Sequence, residues 1–318
     1  MVVVFFGTPR FAVPTLQHVL DSRHTVAGVV TQPDRPRGRG QKVSDAPVKA
    51  LALEHHIPVF QPDRLKPREV AERLSAWRPD VAVVAAYGRI IPEHLLTVPR
   101  LGMINVHASL LPKYRGAAPV HRAVMNGDSE TGVTIMRVVK ELDAGPMFAR
   151  VTRPIGPDET SDVVEDALAG LGAQLLVAVL AQMTAGMARE EPQDDTQATH
   201  APRLTKEEGL IDWSQSGAAI HNRVRGLYPW PHAYTFLRGT RLIIRRTRLI
   251  ADLTVIKPRR GGGAAGTIVE VTPEAIRLTT GDGELAIVEV QPEGRRPMSV
   301  RDFTAGHRLA PGDVFSGS

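Results

Sequence analysis

The sequence predicts an α/β chain: an open, mostly parallel sheet in the amino-terminal part, then a smaller β-rich module. Three observations carry this. Strand and helix patterns alternate over the first half. A polar stretch containing two prolines, Arg189–Arg203, follows a long apolar helix pattern. Beyond it the texture changes to short strands with a glycine hairpin turn. A βαβ alternation implies a parallel sheet with right-handed crossovers.

Each element has its own reason. Val2-Val3-Val4-Phe5-Phe6 is a continuous apolar run, as in strands buried on both faces, and it ends at Gly7-Thr8-Pro9. A helix is predicted around Pro14–Asp21 and a strand over His24–Thr31. Further strands are predicted at Val81–Ala86, Met103–His107, Gly132–Val138 and Pro146–Pro154. Ala167–Ala188 carries no charge. Its residues Leu168, Leu171, Leu175, Val179 and Met183 recur at spacings of three and four, which marks a buried amphipathic helix rather than a membrane span. Arg189–Arg203 reads as an interdomain linker. In the last part, strands are predicted at Thr240–Ile250, Gly266–Val271, Ile276–Thr280 and Glu284–Val290. Gly281-Asp282-Gly283 makes a hairpin turn, and the module is a barrel or a sandwich. The expected domains are 1–188 and 206–318, joined by 189–205.

Composition narrows the chemistry. A length of 318 residues favours two domains, and 42% hydrophobic with 23% charged residues is a globular balance. With no cysteine, the chain has no disulfide, catalytic thiol, thiolate zinc site or cysteine-ligated iron–sulfur cluster. Met1–Gly7 lacks the pattern of a signal peptide, so a cytoplasmic location is expected. Gly7-Thr8-Pro9-Arg10-Phe11-Ala12 does not match G-x-G-x-x-G, which argues against a dinucleotide site.

Charge is unevenly placed. Residues 1–204 carry 23 basic and 22 acidic residues, whereas 205–318 carry 16 and 12. Arg238–Arg260 holds eight basic residues, among them Arg245, Arg246 and Arg248, and one acid, Asp252. That stretch is either a phosphate-binding face or a solvated surface. A second basic element, with Arg35, Arg37, Arg39 and Lys42 among glycines and a proline, reads as a loop suited to a polyanion.

The stretch Met103–Pro112 carries chemistry. Asn105 and His107 are two apart on a predicted strand, so both side chains leave one face. The imidazole can move a proton and the amide can donate to a developing oxyanion. Glu141-Leu142-Asp143-Ala144-Gly145-Pro146 is a polar turn between two strands, and its Asp143 could reach the same pocket. These residues suit acyl transfer, or equally a partly buried histidine near a turn aspartate.

Asn105-x-His107 followed by Ser109-Leu110-Leu111-Pro112-x-Tyr114-Arg115-Gly116 resembles the signature of the formyltransferases that use 10-formyltetrahydrofolate. The resemblance implies a Rossmann-like formyltransferase fold followed by an OB-like barrel. It implies catalytic Asn105, His107 and Asp143, with Ser109, Leu110, Leu111 and Pro112 at the folate site and no metal. Gly7-Thr8-Pro9 with Phe11-Ala12-x-Pro14, Gln32–Pro36 with Gly38-Arg39-Gly40, Lys206–Trp213 and Pro229-Trp230-Pro231 resemble the branch of that family acting on methionyl-tRNA. Arg37 and Arg203 stand where that pattern has Ala and Lys. The implied partners are initiator Met-tRNA and the folate co-substrate, with no membrane and a monomeric chain. Arg35, Arg37, Arg39, Lys42, Arg245, Arg246 and Arg248 become the expected tRNA contacts, Arg39 foremost as reader of the acceptor stem. The alternative acceptor is an amino-sugar nucleotide. A more distant alternative is a non-catalytic RNA-binding protein on the same scaffold.

Overall fold

The computed structural model describes residues 1–34, 36–37, 42–43, 45–65, 67–250 and 264–317. They pack as two units. The first comprises Met1–Pro119, Glu130–Pro154 and Glu165–Pro202, and the second Val120–Ser129, Ile155–Val164 and Arg203–Ser318. Residues 120–129 and 155–164 thus group with the second unit although they fall within the stretch 1–188.

The strands of the first unit are β1 (Val2–Gly7), β2 (Thr25–Val30), β3 (Pro36–Arg37), β4 (Lys42–Val43), β5 (Val59–Phe60), β6 (Val81–Ala85), β7 (Met103–His107), β8 (Arg115–Gly116), β9 (Glu130–Arg137), β10 (Met147–Pro154) and β11 (His200–Ala201). Seven form one sheet in the order β10-β9-β7-β6-β1-β2-β5. The pairs β1/β2, β1/β6, β2/β5 and β6/β7 are parallel, while β9 runs antiparallel to β7 and β10. The sheet is therefore mostly parallel, as expected. Chain order leaves β1 in both directions, first to β2 and later to β6. A ligand crevice is expected outside the carboxyl ends of strands near such a switch point.

Helices α1 (Ala12–Leu20), α2 (Pro47–Glu54), α3 (Arg68–Ala76), α4 (Glu93–Leu96) and α5 (Pro119–Asn126) come between strands, and α6 (Ser161–Thr184) follows β10. Val3, Val4, Phe5 and Phe6 are buried, which explains the unbroken apolar run of β1. The buried stripe of α6 contains Leu168, Leu176, Val179 and Leu180. Leu171, Leu175 and Met183 are only half-buried, so the stripe is turned from the expected one. Gly172 sets the packing distance: a Cβ there would lie 2.8 Å from a Val106 methyl and 3.1 Å from Val133. The helix thus rests its backbone directly on β7 and β9.

The second unit is built from β12 (Ala233–Leu237), β13 (Thr240–Leu249), β14 (Ile268–Val271), β15 (Ile276–Thr279), β16 (Glu284–Pro292), β17 (Met298–Ser299) and β18 (Phe315–Ser316), with α7 (Gly217–Gly226) and α8 (Val300–Gly306). Its sheet runs β14-β15-β16-β13-β12-β18 with antiparallel neighbours, and β17 adds to β16. The two ends of that order meet: Ile268 N–H donates to Asp313 O at 2.7 Å and Phe315 N–H to Gly266 O at 2.9 Å. These bonds curl the sheet towards closure, which decides for a barrel over a sandwich and leaves fewer open strand edges. Trp213 fills its interior, stacked on Phe315 and donating its indole N–H to Thr235. Strands β12, β17 and β18 and both helices add to the elements expected from the sequence.

Gly172→Val is expected to lower the unfolding free energy by about 1–3 kcal/mol, the usual cost of overpacking. Urea denaturation checks this.

Candidate active site

The site forms where β7 ends. Asn105 lies beside Val84 of β6 and opposite Met136 of β9, and His107 is opposite Thr134. Asn105 is half-buried and His107 is 5% exposed, so strand pairing holds both in place. Alternation along the strand sends both side chains to one face.

The orientation of His107 comes from the backbone. Its Nε2 is 3.0 Å from the carbonyl oxygen of Tyr114. A carbonyl only accepts, so Nε2 carries the hydrogen and Nδ1 is left facing Asp143, whose Oδ2 is 3.7 Å away. Asp143 thus reaches the same pocket but does not hold the ring: 3.7 Å is an ion-pair distance, not a hydrogen bond. It also removes Nε2–H as an oxyanion donor while the Tyr114 bond stands. Nδ1 is the position that can take up a proton, with the Asp143 carboxylate beside it.

Asp143 lies in the turn between β9 and β10, with a left-handed φ of +51°. Its Oδ2 accepts the Gly116 N–H at 2.9 Å. Gly116 has φ +127°, and a Cβ there would sit 2.6 Å from the Ala201 carbonyl. The Arg-Gly pair of the motif is thus a close backbone approach, where glycine is the residue that fits. Leu142, next to Asp143 in the chain, is 59% exposed and offers apolar surface.

Two of the four expected folate residues shape the loop itself. Ser109 is fully buried and its hydroxyl donates to Lys113 O at 2.6 Å. Leu111 is buried against Met136 and Met147. Leu110 and Pro112 are half-buried and remain open to a ligand. Thr134 ties the loop to the sheet: its hydroxyl donates to Ser109 O at 2.7 Å and accepts from Leu111 N–H at 3.1 Å. Only the folded sheet shows that β9 supplies this anchor.

The stretch expected as a linker is built into the first unit. Glu191 exchanges backbone bonds with Met147, β11 pairs with β8, and Arg137 binds Glu190 at 3.0 Å. Thr199 accepts the Tyr114 N–H at 2.9 Å. Gln193 reaches Asp143, Gly145 and Arg115. The sequence gives no signal for these contacts, because the stretch is mostly polar and carries no periodicity.

Of the expected tRNA contacts, Arg35 and Arg39 lie outside the described residues, as do Lys257, Arg259 and Arg260. The backbones of Arg37 and Lys42 pair across β3 and β4. On either side of that stretch, Asp34 and Asp45 both bind Lys49. Lys49 holds the Asp34 carboxyl below the ordinary carboxylate range. In the second unit, strict alternation from the buried Leu242 and Ile244 would turn Arg246 inward. Register shifts around Arg246 prevent this: Thr247 is buried, while Arg246 and Arg248 are exposed and Arg245 is half-buried. The three arginines line a cavity of about 510 Å³ with Arg225, Tyr228 and the acidic residues Asp158, Asp162 and Glu289. Arg245 lies over the Tyr228 ring and donates to His232 Nε2 at 2.7 Å. Burial, then the charges of Arg245 and Arg241, push His232 down to about 4.

Comparison with known proteins matches residues 1–180 to the formyl transferase family and 203–308 to the formyl transferase C-terminal domain. The chain is 47% identical over 310 residues to the methionyl-tRNA formyltransferase of Methylococcus capsulatus, covering 98% of each chain. It is 46% identical to that of Moorella thermoacetica, covering 99% of each. Among solved structures, the N-formyltransferase of Helicobacter canadensis, in complex with folinic acid and dTDP-3-aminofucose, matches with a TM-score of 0.65. That match has 17% identity and covers 92% of this chain and 100% of the other. At that identity only the fold is shared.

Thr134→Val leaves Ser109 O and Leu111 N–H buried without their partner. It is expected to cost about 1–3 kcal/mol and to weaken binding of a reduced folate, read by urea denaturation and by titration. His232 gives a pH signature. Its folded value of about 4 lies below the unfolded 6.5, so between these the unfolded chain binds more protons. The stability tied to its neutral form is complete above pH 6.5 and is lost as pH falls towards 4. The unfolding midpoint should therefore fall more steeply across that window in the wild type than in His232→Gln. Parallel slopes would contradict the assignment.

Proposed function

We infer that this chain, which belongs to the formyl transferase family and within it to the methionyl-tRNA formyltransferases, moves a formyl group from 10-formyltetrahydrofolate to the α-amino group of methionine on initiator tRNA. The product, formyl-Met-tRNA, serves translation initiation in the cytoplasm. The observation that carries this reading is His107 facing Asp143 at 3.7 Å, with Asn105 two residues earlier on β7, in a chain whose 47% identity to such an enzyme runs over nearly its whole length.

Attack of the amine on the formyl carbon places negative charge on the formyl oxygen. Asn105 donates an amide N–H to that oxygen, and its half-buried position limits competition from water. The amine nitrogen must lose a proton as the new C–N bond forms. His107 Nδ1 accepts it, and Asp143, 3.7 Å away, balances the resulting positive charge. The proton then returns to the departing folate nitrogen as the old C–N bond breaks. Leu110 and Pro112, with the Leu142 side chain, fit the apolar part of a folate. Arg35, Arg37, Arg39 and Lys42 in one unit, and Arg245, Arg246 and Arg248 in the other, are the side chains assigned to tRNA phosphates. Such contacts position nucleic acid without reading bases.

The direct experiment supplies formyl donor and charged Met-tRNA, with uncharged tRNA and an amino-sugar nucleotide as controls. Formylation of Met-tRNA alone is expected, whereas transfer to the sugar nucleotide alone would overturn the reading. Asn105→Ala and Asp143→Ala are each expected to lose at least ~100-fold in turnover while still shifting tRNA in a gel. Near-normal turnover in either variant would remove that residue from the catalytic set.

A further inference from the structure

We propose that Gln193, held by Arg115, is a positioning residue that sets the Asp143 carboxylate for formyl transfer. The inference rests on the reading of Asp143 as catalytic.

Asp143 needs such support. A non-glycine residue at φ +51° sits in a sparsely populated conformation that persists where its surroundings over-determine it. Gln193 supplies that constraint from the opposite side of the turn. Its Nε2 donates one hydrogen to Asp143 O at 2.8 Å and the other to Gly145 O at 2.7 Å. Its Oε1 accepts from Arg115 Nε at 3.0 Å and Nη2 at 2.7 Å. The amide can be placed only one way, since the reverse would set an oxygen against two carbonyls and an NH2 against a guanidinium. Arg115 is 8% exposed and adjoins Gly116, whose N–H binds the Asp143 carboxylate.

The contacts close a ring. It runs from the Asp143 carboxylate to the Gly116 N–H, along the chain to the Arg115 guanidinium, through the Gln193 amide and back to the Asp143 carbonyl. Both ends of one residue are thereby fixed, its backbone by Gln193 and its side chain by Gly116. Gly145 packs closely on the neighbouring backbone, since a Cβ there would lie 2.0 Å from Arg137 O. Asp195, on the solvent side, binds Arg115 Nη2 at 2.6 Å. A shift of about 1 Å in a reacting or proton-holding group can cost on the order of 100-fold in rate, so a residue that touches no reacting atom can govern turnover here.

The test is a double-mutant cycle in the full-length enzyme. Gln193→Glu keeps a partner for Arg115 but turns acceptors towards two carbonyls, and Gln193→Ala removes the link altogether. Each is expected to lower kcat about 10–100-fold with KM for Met-tRNA and formyl donor within about threefold. Neither should lower the residual rate further in an Asp143→Ala background, since non-additivity marks groups acting as a unit. Glu190→Gln loosens the same segment without touching the ring and should keep wild-type turnover. If Gln193→Ala does not fold, Gln193→Glu carries the comparison. The inference is overturned by normal kcat in the folded Gln193 variants. An equal loss in the Asp143→Ala background, or an equal loss in Glu190→Gln, would overturn it too. Near-normal turnover of Asp143→Ala itself would mark failure of the reading beneath it.

Discussion

The candidate site depends on one hydrogen bond, from His107 Nε2–H to the Tyr114 carbonyl. It fixes the tautomer, aims Nδ1 at Asp143 and ties the end of β7 to the loop that follows it. The bond exists because the chain reverses within seven residues and presents a carbonyl where a strand would present a side chain. Tyr114 and Gly116 both adopt positive φ to do this. The motif after His107 is therefore mainly a device for returning the backbone to the imidazole. Ser109 and Leu111 serve that same return, buried and bonded within the loop.

A second constraint comes from Glu190–Pro202. In the sequence it looks like a connection, polar and proline-bearing. In the fold it is an added layer on the first unit: its backbone pairs with β8 and Met147, its Thr199 holds Tyr114, and its Gln193 reaches the Asp143 turn. Candidate-site residues that come from distant parts of the chain need something to hold them in common. Here that role falls to a segment with almost no apolar burial, working through directional hydrogen bonds instead. Such bonds contribute little net stability each, but they are specific in geometry.

The second unit follows a different logic. Its core is an aliphatic and aromatic barrel interior around Trp213, and its outer face carries arginines that a bulge turns outward. Several of these charges are already engaged by rings, by His232 or by carboxylates. A net charge counted along the chain therefore overstates what a polyanion would meet. Which arginines are available is decided by the register of β13 and not by their number.

Elements whose signal is local could be read from the chain alone. The apolar run of β1, the strand Met103–His107 with its Asn and His on one face, and the hairpin between β15 and β16 all follow from periodicity and turn chemistry. The length and spacing of the signature were also enough to point to the family. The remainder depended on the folded chain. It brought Asp143 to Gly116, assigned the proton of His107, rotated the buried stripe of α6 and bonded the stretch expected as a linker to the Asp143 turn. It also moved residues 120–129 and 155–164 into the second unit. The reason is common to all of these. Local patterns report which face of an element is apolar, but hydrogen bonds between residues tens of positions apart leave no period in the chain. A polar residue such as Gln193 looks the same in the sequence whether it faces water or holds the Asp143 turn.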